Sequence, residues 1–443
     1  MTVIEFKEQV FKKALESGCT AAEIYFSEGE SFSVDVRQGV VDEYSVSKEL
    51  GLNLRVEYDG KNGYAYTEAL EDADTLVAKA IDNAKSVESS DISPMQGKCE
   101  YEMIEKHSHP IDALSEKEKI DLAISIEQKT LKRDPRVDRV ESANCTTTTG
   151  RACIYKTLGL DAESDDDISY TYVLPIMRDG EQVKNSMAFR SGGKAMEIDS
   201  LVDEAVAECA LQFGAKTVPA GKYNIIIRNT TFVDLLTAFS PIFSADNAQK
   251  GLSLLANKEG EVIGSSLLTI VDDPLHPEAP RAFDAEGVPS VTKTVVENGV
   301  FKTLLYNLRT AKKAGCESTS NASRAGTSAP IDITPSVMYV KPGDKSYDEL
   351  IAQLGNGLVI TDMSGLHSGL NTVSGEFSLL SRGLLIEGGK VVRAVDQITV
   401  GGNFLELLKS IEAIGSDLRF GLPFGAVVGS PSILINDVII SGS

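Results

Sequence analysis

The feature that most constrains this chain is a change of period near its start. Residues 3–17 carry Phe6, Val10, Phe11, Ala14 and Leu15 at three- and four-residue spacing, the pattern of an amphipathic helix. From 22 to 66, apolar residues such as Ile24, Phe26, Val34, Val36, Leu52, Leu54 and Val56 alternate with polar ones instead. Alternation belongs to strands with one buried and one polar face. Turn candidates at Glu28-Gly-Glu30, Gln38-Gly39 and Asp59-Gly60 break the run, so the segment predicts an antiparallel meander.

Helical spacing returns at about 72–86 and 115–131, strand-like alternation at 137–155 and 168–187, and a long helix is expected over 198–213, ending at Gly214. Helices and strands in this order predict an α+β fold with helices packed on antiparallel sheet, not βαβ repeats. Lys216-Thr-Val-Pro-Ala-Gly-Lys222 then reads as a Pro/Gly linker before the apolar run Tyr223-Asn-Ile-Ile-Ile-Arg228. The expected domains are therefore 1–216 and 217–443. In the second, turns are frequent and strands short, with helices only near 231–240, 308–314, 347–354 and 403–414. That half is expected to be mainly β, a curled or barrel-like sheet.

The 443 residues and 42% apolar content suffice for packed cores. With 65 acidic and 43 basic residues, the net charge of −22 repels phosphate backbones, so direct nucleic-acid binding is not expected. Six cysteines without a C-x-x-C spacing, and a charged first segment unlike a signal peptide, point to a reduced cytoplasmic setting. No run approaches the ~18 apolar residues that would span a bilayer.

Catalytic signals are sparse. Four histidines make a full census possible: His107 and His109 sit in a polar connector, His276 in a proline-flanked loop, and His367 between glycines, none with a partner at metal-ligand spacing. No G-x-S-x-G elbow occurs. Cys316 reads as a small half-buried residue with nothing nearby to lower its pKa. Asp272-Asp273 and the pair Asp284 and Glu286 could do acid–base work, but their loop context favours hydrogen bonding to backbone. Gly421, Gly425 and Gly429 lack the Lys-Ser or Lys-Thr of a phosphate loop.

The C-terminal half carries an ordered set of motifs: Phe283-Asp-Ala-Glu-Gly-Val-Pro-Ser290, strands over 291–305, Asn321-Ala-Ser-Arg324, Lys341-Pro-Gly-Asp344, Gly375-Glu-Phe-Ser378, Gly402-Asn-Phe-Leu-Glu406, Ile414-Gly-Ser-Asp-Leu418 and Ser430-Pro-Ser-Ile-Leu434. In this order the set resembles the PmbA/TldE family, the sister group of the TldD metallopeptidases, described as modulators of DNA gyrase. In TldD-type relatives a zinc-peptidase helix with two histidines and a glutamate follows the first strand of the C-terminal domain, and a cysteine ligand comes late. The similar positions here read Leu235-Leu-Thr-Ala-Phe-Ser-Pro-Ile-Phe-Ser244 and Arg419-Phe-Gly-Leu-Pro-Phe-Gly-Ala-Val-Val-Gly429, without imidazole, carboxylate or thiol.

The resemblance thus implies a non-catalytic chain that holds no metal or cofactor; a self-sufficient homodimeric peptidase with an unrecognised site and a non-enzymatic regulator in the gyrase pathway are the alternatives. Its partner would be a TldD-like zinc subunit in a heterodimer, or a second copy in a homodimer, acting on unfolded peptide. Proteolysis in peptide maturation and antitoxin turnover follows from the same resemblance. The segment 281–305 reads as a strand, turn and hairpin with exposed backbone groups, able to take an extended peptide by strand addition. The peptide-groove candidates are Arg281, Phe283, Asp284, Glu286, Gly287, Asn321 and Arg324.

Overall fold

The computed structural model describes residues 1–88, 92–104, 109–423 and 425–442. Helix α1 (Val3–Glu16) starts where Thr2 caps it: the Thr2 hydroxyl accepts from the Glu5 N–H, and the Glu5 carboxylate accepts from the Thr2 N–H. There follow β1 (Ala21–Arg37), β2 (Val40–Tyr58), β3 (Lys61–Thr67), α2 (Ala73–Ser86), α3 (Glu116–Arg133), β4 (Val137–Lys156), β5 (Asp161–Asp179), β6 (Gln182–Asn185), β7 (Ala188–Ser191) and α4 (Ile198–Ala210).

The strands form one antiparallel sheet in the order β3-β2-β1-β4-β5-β6, with β7 also on β5. The expected meander is there, with two corrections. Glu28-Gly-Glu30 is not a turn: Gly29 lies within β1, opposite Glu49 and Gly150. A Cβ at Gly29 would stand 3.0 Å from the Thr149 carbonyl oxygen, so this glycine permits close strand approach. The real turn is at Gln38-Gly39, where φ of 55° and 75° makes the primed two-residue hairpin. The strand expected over 168–187 instead begins at Asp161, ends at Asp179 and turns at Gly180 into β6.

Even-numbered β1 residues point to one face. There α1 and α2 share a core with Ile24, Phe26, Leu52 and Leu54. Along the same face α3 and α4 cover Phe32, Val34 and Val36. The opposite face carries Glu23 and Tyr25 of β1, Arg55 of β2 and Ile154 and Lys156 of β4, and the C-terminal half covers it.

That half runs β8 (Gly221–Ile227), α5 (Asn229–Phe239), α6 (Ala245–Gln249), β9 (Ile270–Asp272), β10 (Lys293–Glu297), β11 (Val300–Phe301), α7 (Leu308–Ala314), β12 (Ala322–Ser323), β13 (Asp332–Ile333), β14 (Val337–Val340) and α8 (Tyr347–Leu354). It ends with β15 (Gly357–Ser364), β16 (Glu376–Glu387), β17 (Lys390–Asn403), α9 (Phe404–Lys409), β18 (Ile411–Ile414), β19 (Arg419–Phe420), β20 (Val427–Ser430) and β21 (Ile433–Ser441). The expected barrel is present. Strands β8, β15, β16, β17 and β21 close on themselves through the β17–β21 pairing. A second sheet has the order β11-β10-β9-β14-β20-β19. The helix expected over 403–414 stops at Lys409, and Ile411–Ile414 pairs with β21 as a strand.

Helix α5 follows β8 directly, so Ile225 and Ile227 share the large C-terminal core with Phe232, Leu235, Leu236 and Phe239. Its other face is left for the gap between the domains. Among the described residues no helix is long and apolar enough to cross a membrane.

Candidate functional site

The covered face of the N-terminal sheet holds a row of charges. Register places Glu23 opposite Arg55 on one side and Lys156 on the other. Glu23 accepts from Arg55 at 2.7 Å and pairs with Lys156 at 2.9 Å, while Arg324 reaches the same carboxylate from the C-terminal domain at 3.4 Å. All four side chains are buried. Burial alone would raise the Glu23 carboxyl, but Arg55, Lys156 and Arg324 outweigh it and hold it at about 2.

The segment Phe283–Gly287, which carries the groove candidates Phe283, Asp284, Glu286 and Gly287, docks beside this row. The turn is closed internally: the Asp284 N–H donates to the Val288 carbonyl and the Gly287 N–H to the Asp284 carbonyl. Asp284 Oδ1 accepts from the N–H groups of Glu286 and Val288, and Oδ2 from that of Ala322. Glu286 accepts from Ser93 Oγ at 3.2 Å and from the Leu308 N–H at the start of α7 at 2.8 Å. Lys156 Nζ and Tyr101 Oη donate to the carbonyls of Glu286 and Gly287. Phe283 packs on Tyr101, Ile154 and Leu160. The backbone expected to be open for strand addition is thus engaged in joining the two domains.

The remaining groove candidates are also structural in their contacts. Arg281 donates to the Ser320 carbonyl at 2.9 Å. Asn321 donates to Asp272 at 2.7 Å and accepts from Lys293 at 2.9 Å. Arg324 lies over the Tyr25 ring. The acid pairs do what their loop context indicated, since Asp272 and Asp284 both accept from backbone N–H groups. Cys316 is exposed, not half-buried, and its thiol is raised by desolvation. His109 is half-buried against Ser169 at 2.9 Å, and His107 lies outside the described residues.

The cavity is elsewhere. A space of about 560 Å³ opens between α4, β6 and β7 of the first domain and α5, β16 and β19 of the second. None of the groove candidates lines it. Ion pairs across the domain gap frame it: Arg228 Nη1 to Glu208 at 2.7 Å and Arg419 Nη1 to Glu204 at 2.6 Å. Thr230, Asp234 and Thr237 of α5, at helical spacing, face this space. Asp234 precedes by one residue the stretch that reads as free of carboxylates, and no local pattern marked it. It is open to the cavity, yet desolvation by the surrounding walls and repulsion from Asp362 push its carboxyl up to about 6. Arg419–Leu422, Ala426 and Val428 of the glycine-rich run complete the wall.

The comparisons with known proteins agree with this architecture. Residues 220–442 match the model described as PmbA/TldA metallopeptidase C-terminal domain, with domain 1 at 22–84 and the central domain at 109–215. The chain belongs to the PmbA/TldD metallopeptidase family. A Thermotoga maritima protein solved as a candidate modulator of a DNA gyrase is similar at 34% identity, with a TM-score of 0.92 over 99% of this chain and 100% of that one. TldE from Thermococcus kodakarensis shares the fold, with a TM-score of 0.91 at 22% identity over 99% of this chain and 100% of that one. A Methanothermobacter thermautotrophicus protein named metalloprotease is 27% identical over 97% of both chains.

A PmbA/TldD relationship raises the question of a metal at α5. Zinc held by a helix needs two imidazoles about one turn apart and a third ligand. Here α5 offers Thr230, Asp234 and Thr237, and the glycine-rich wall offers no thiol. Among the described residues no group of three His, Cys, Asp or Glu side chains is placed to hold a metal ion. The residues at the cavity do not fit zinc.

Proposed function

We propose that this chain is the PmbA/TldE-type, non-catalytic subunit of a two-component cytoplasmic zinc peptidase acting on unfolded peptides. The observation that carries this reading is α5: it borders the interdomain cavity, as a peptidase helix would, with threonines and one aspartate where ligands are needed. Zinc, and the water it acidifies, would then belong to a TldD-like partner. This chain contributes a wall of the shared space and holds peptide against it.

Peptide maturation and antitoxin turnover are the processes that fit such a pair. A link to DNA gyrase would be indirect, through degradation, because a chain of net charge −22 repels DNA. The test is affinity isolation of the tagged chain from its native host, with mass spectrometry and zinc analysis of what accompanies it. A stoichiometric subunit carrying a two-histidine helix, with about one zinc per pair as a single open site requires, is the expected result. Self-association without such a subunit would overturn the heterodimer, and zinc bound by the chain alone would overturn its non-catalytic role.

A further inference from the structure

The charges lining the cavity do not balance evenly. Arg228 pairs with Glu208, Arg419 with Glu204, Arg382 with Asp362, and Asp396 with Lys184, which lies outside the lining. Asp234 makes no hydrogen bond or ion pair among the described residues, and its only charged influence of note is the repulsive Asp362. A carboxylate that opens into a cavity beside a second carboxylate, with no partner of its own, is better placed once a ligand supplies the counter-charge.

A second observation points to the same occupant. Thr231, on the same turn of α5, is 2% exposed and lines the cavity, and its hydroxyl has no hydrogen-bond partner among the described residues. Arg228 Nε, at the start of α5, is likewise buried without an acceptor among the described residues. The wall therefore offers an unpaired anion beside unused neutral and cationic hydrogen-bonding groups, with apolar surface from Leu211, Val233 and Leu384 around them. An extended peptide presents a matching set: a cationic nitrogen, backbone carbonyls and apolar side chains. A compact metal ion would use only the first, and Asp234 with Asp362 gives it too few ligands.

We propose that Asp234 is a specificity residue that seats a primary ammonium group of the bound peptide, with the unpaired Thr231 Oγ1 and Arg228 Nε set in the wall beside it. This rests on the reading of the cavity as the peptide site and names the chemistry it selects. The ammonium can come from a lysine side chain or from a free amino terminus. The acidic field of the whole chain favours the approach of either.

The test is calorimetric titration of the purified full chain with ten-residue Gly/Ser/Leu peptides. One set carries a central lysine and the other norleucine, each with a free or acetylated terminus. The expected result is about tenfold tighter binding of peptides with an ammonium group, the range of a charge-assisted hydrogen bond. Asp234→Asn should abolish that preference, Asp234→Glu should retain part of it, and Asp344→Asn, an exposed carboxylate outside the cavity, should leave it intact. Loss on acetylation assigns the amino terminus, and loss with norleucine assigns the side chain. Binding indifferent to charge, or no peptide binding, overturns the proposal without touching the partner reading, which rests on capture of the zinc subunit. Saturable zinc binding lost in Asp234→Asn would overturn it by assigning the carboxylate to a metal.

Discussion

Glu23 and Asp234 are carboxylates in opposite surroundings. Glu23 is fully enclosed but faces three cations, so its charge is stabilised, whereas Asp234 meets water on one side and is unsupported on the others. The second arrangement costs stability and marks sites kept for a ligand. The Asp234 pKa is raised from 3.8 to about 6, so the folded chain retains a proton that the unfolded chain has released. The penalty is absent below about pH 3.8 and complete above about pH 6. Asp234→Asn should therefore stabilise the chain at pH 7.5 by about 1 kcal/mol, a figure kept small because cavity water screens the group. The gain should vanish near pH 4. Urea unfolding of both proteins at the two pH values checks this, and a less stable variant at pH 7.5 would mean that Asp234 has a favourable partner.

At the scale of elements, much of the secondary structure was legible because a single local signal decides it. The reciprocal caps at Thr2, Ser115 and Ser346, each with glutamate three residues on, open α1, α3 and α8 where spacing places them. Gly29 misled because glycine marks both turns and close strand contacts, and only the partner strand tells which. The segment that carries the groove candidates meets a related ambiguity. Alternation identifies a polar face but not what covers it, so nothing local marks Glu23, Arg55 and Lys156 as buried, and the turn that docks on them reads as open. Gly287 shows how tightly that turn is fitted: its φ is +73°, and an added Cβ would lie 3.0 Å from Leu160 Cδ1. Gly287→Ala should cost about 1–2 kcal/mol. It should also speed amide exchange in the 92–104 segment, because Tyr101 bonds the Gly287 carbonyl. Unchanged thermal stability and exchange would show that the turn contributes nothing to docking.

For the whole molecule, the N-terminal and C-terminal halves are joined at two places of different chemistry: the buried charge row, and the ion pairs that frame the cavity. Sequence separation hid this pairing, since Glu23 and Arg324 meet across 301 positions. The cavity was hidden for the same reason, being lined by segments from β5 to β20. Glu286 sits at the first junction, where burial and then the Asp284 carboxylate raise its pKa from 4.5 to about 7, against the pull of Arg55. A raised carboxyl pKa means that the folded state binds more protons than the unfolded one between about pH 4.5 and 7. Stability from this group is thus full below that window and declines as pH rises through it. A shift of this size corresponds to roughly 3 kcal/mol as an upper figure. Glu23 acts in a different range: its depressed pKa contributes stability above about pH 4.5 that is lost only as pH falls toward 2. Glu286→Gln should therefore gain on the native chain as pH goes from 5 to 8, while the two proteins behave alike below pH 4. Paired urea titrations at pH 4, 5, 6, 7 and 8 measure that difference directly. A constant difference across the series would mean that Glu286 keeps an ordinary pKa, and that its contact with Ser93 holds the two halves together without any proton.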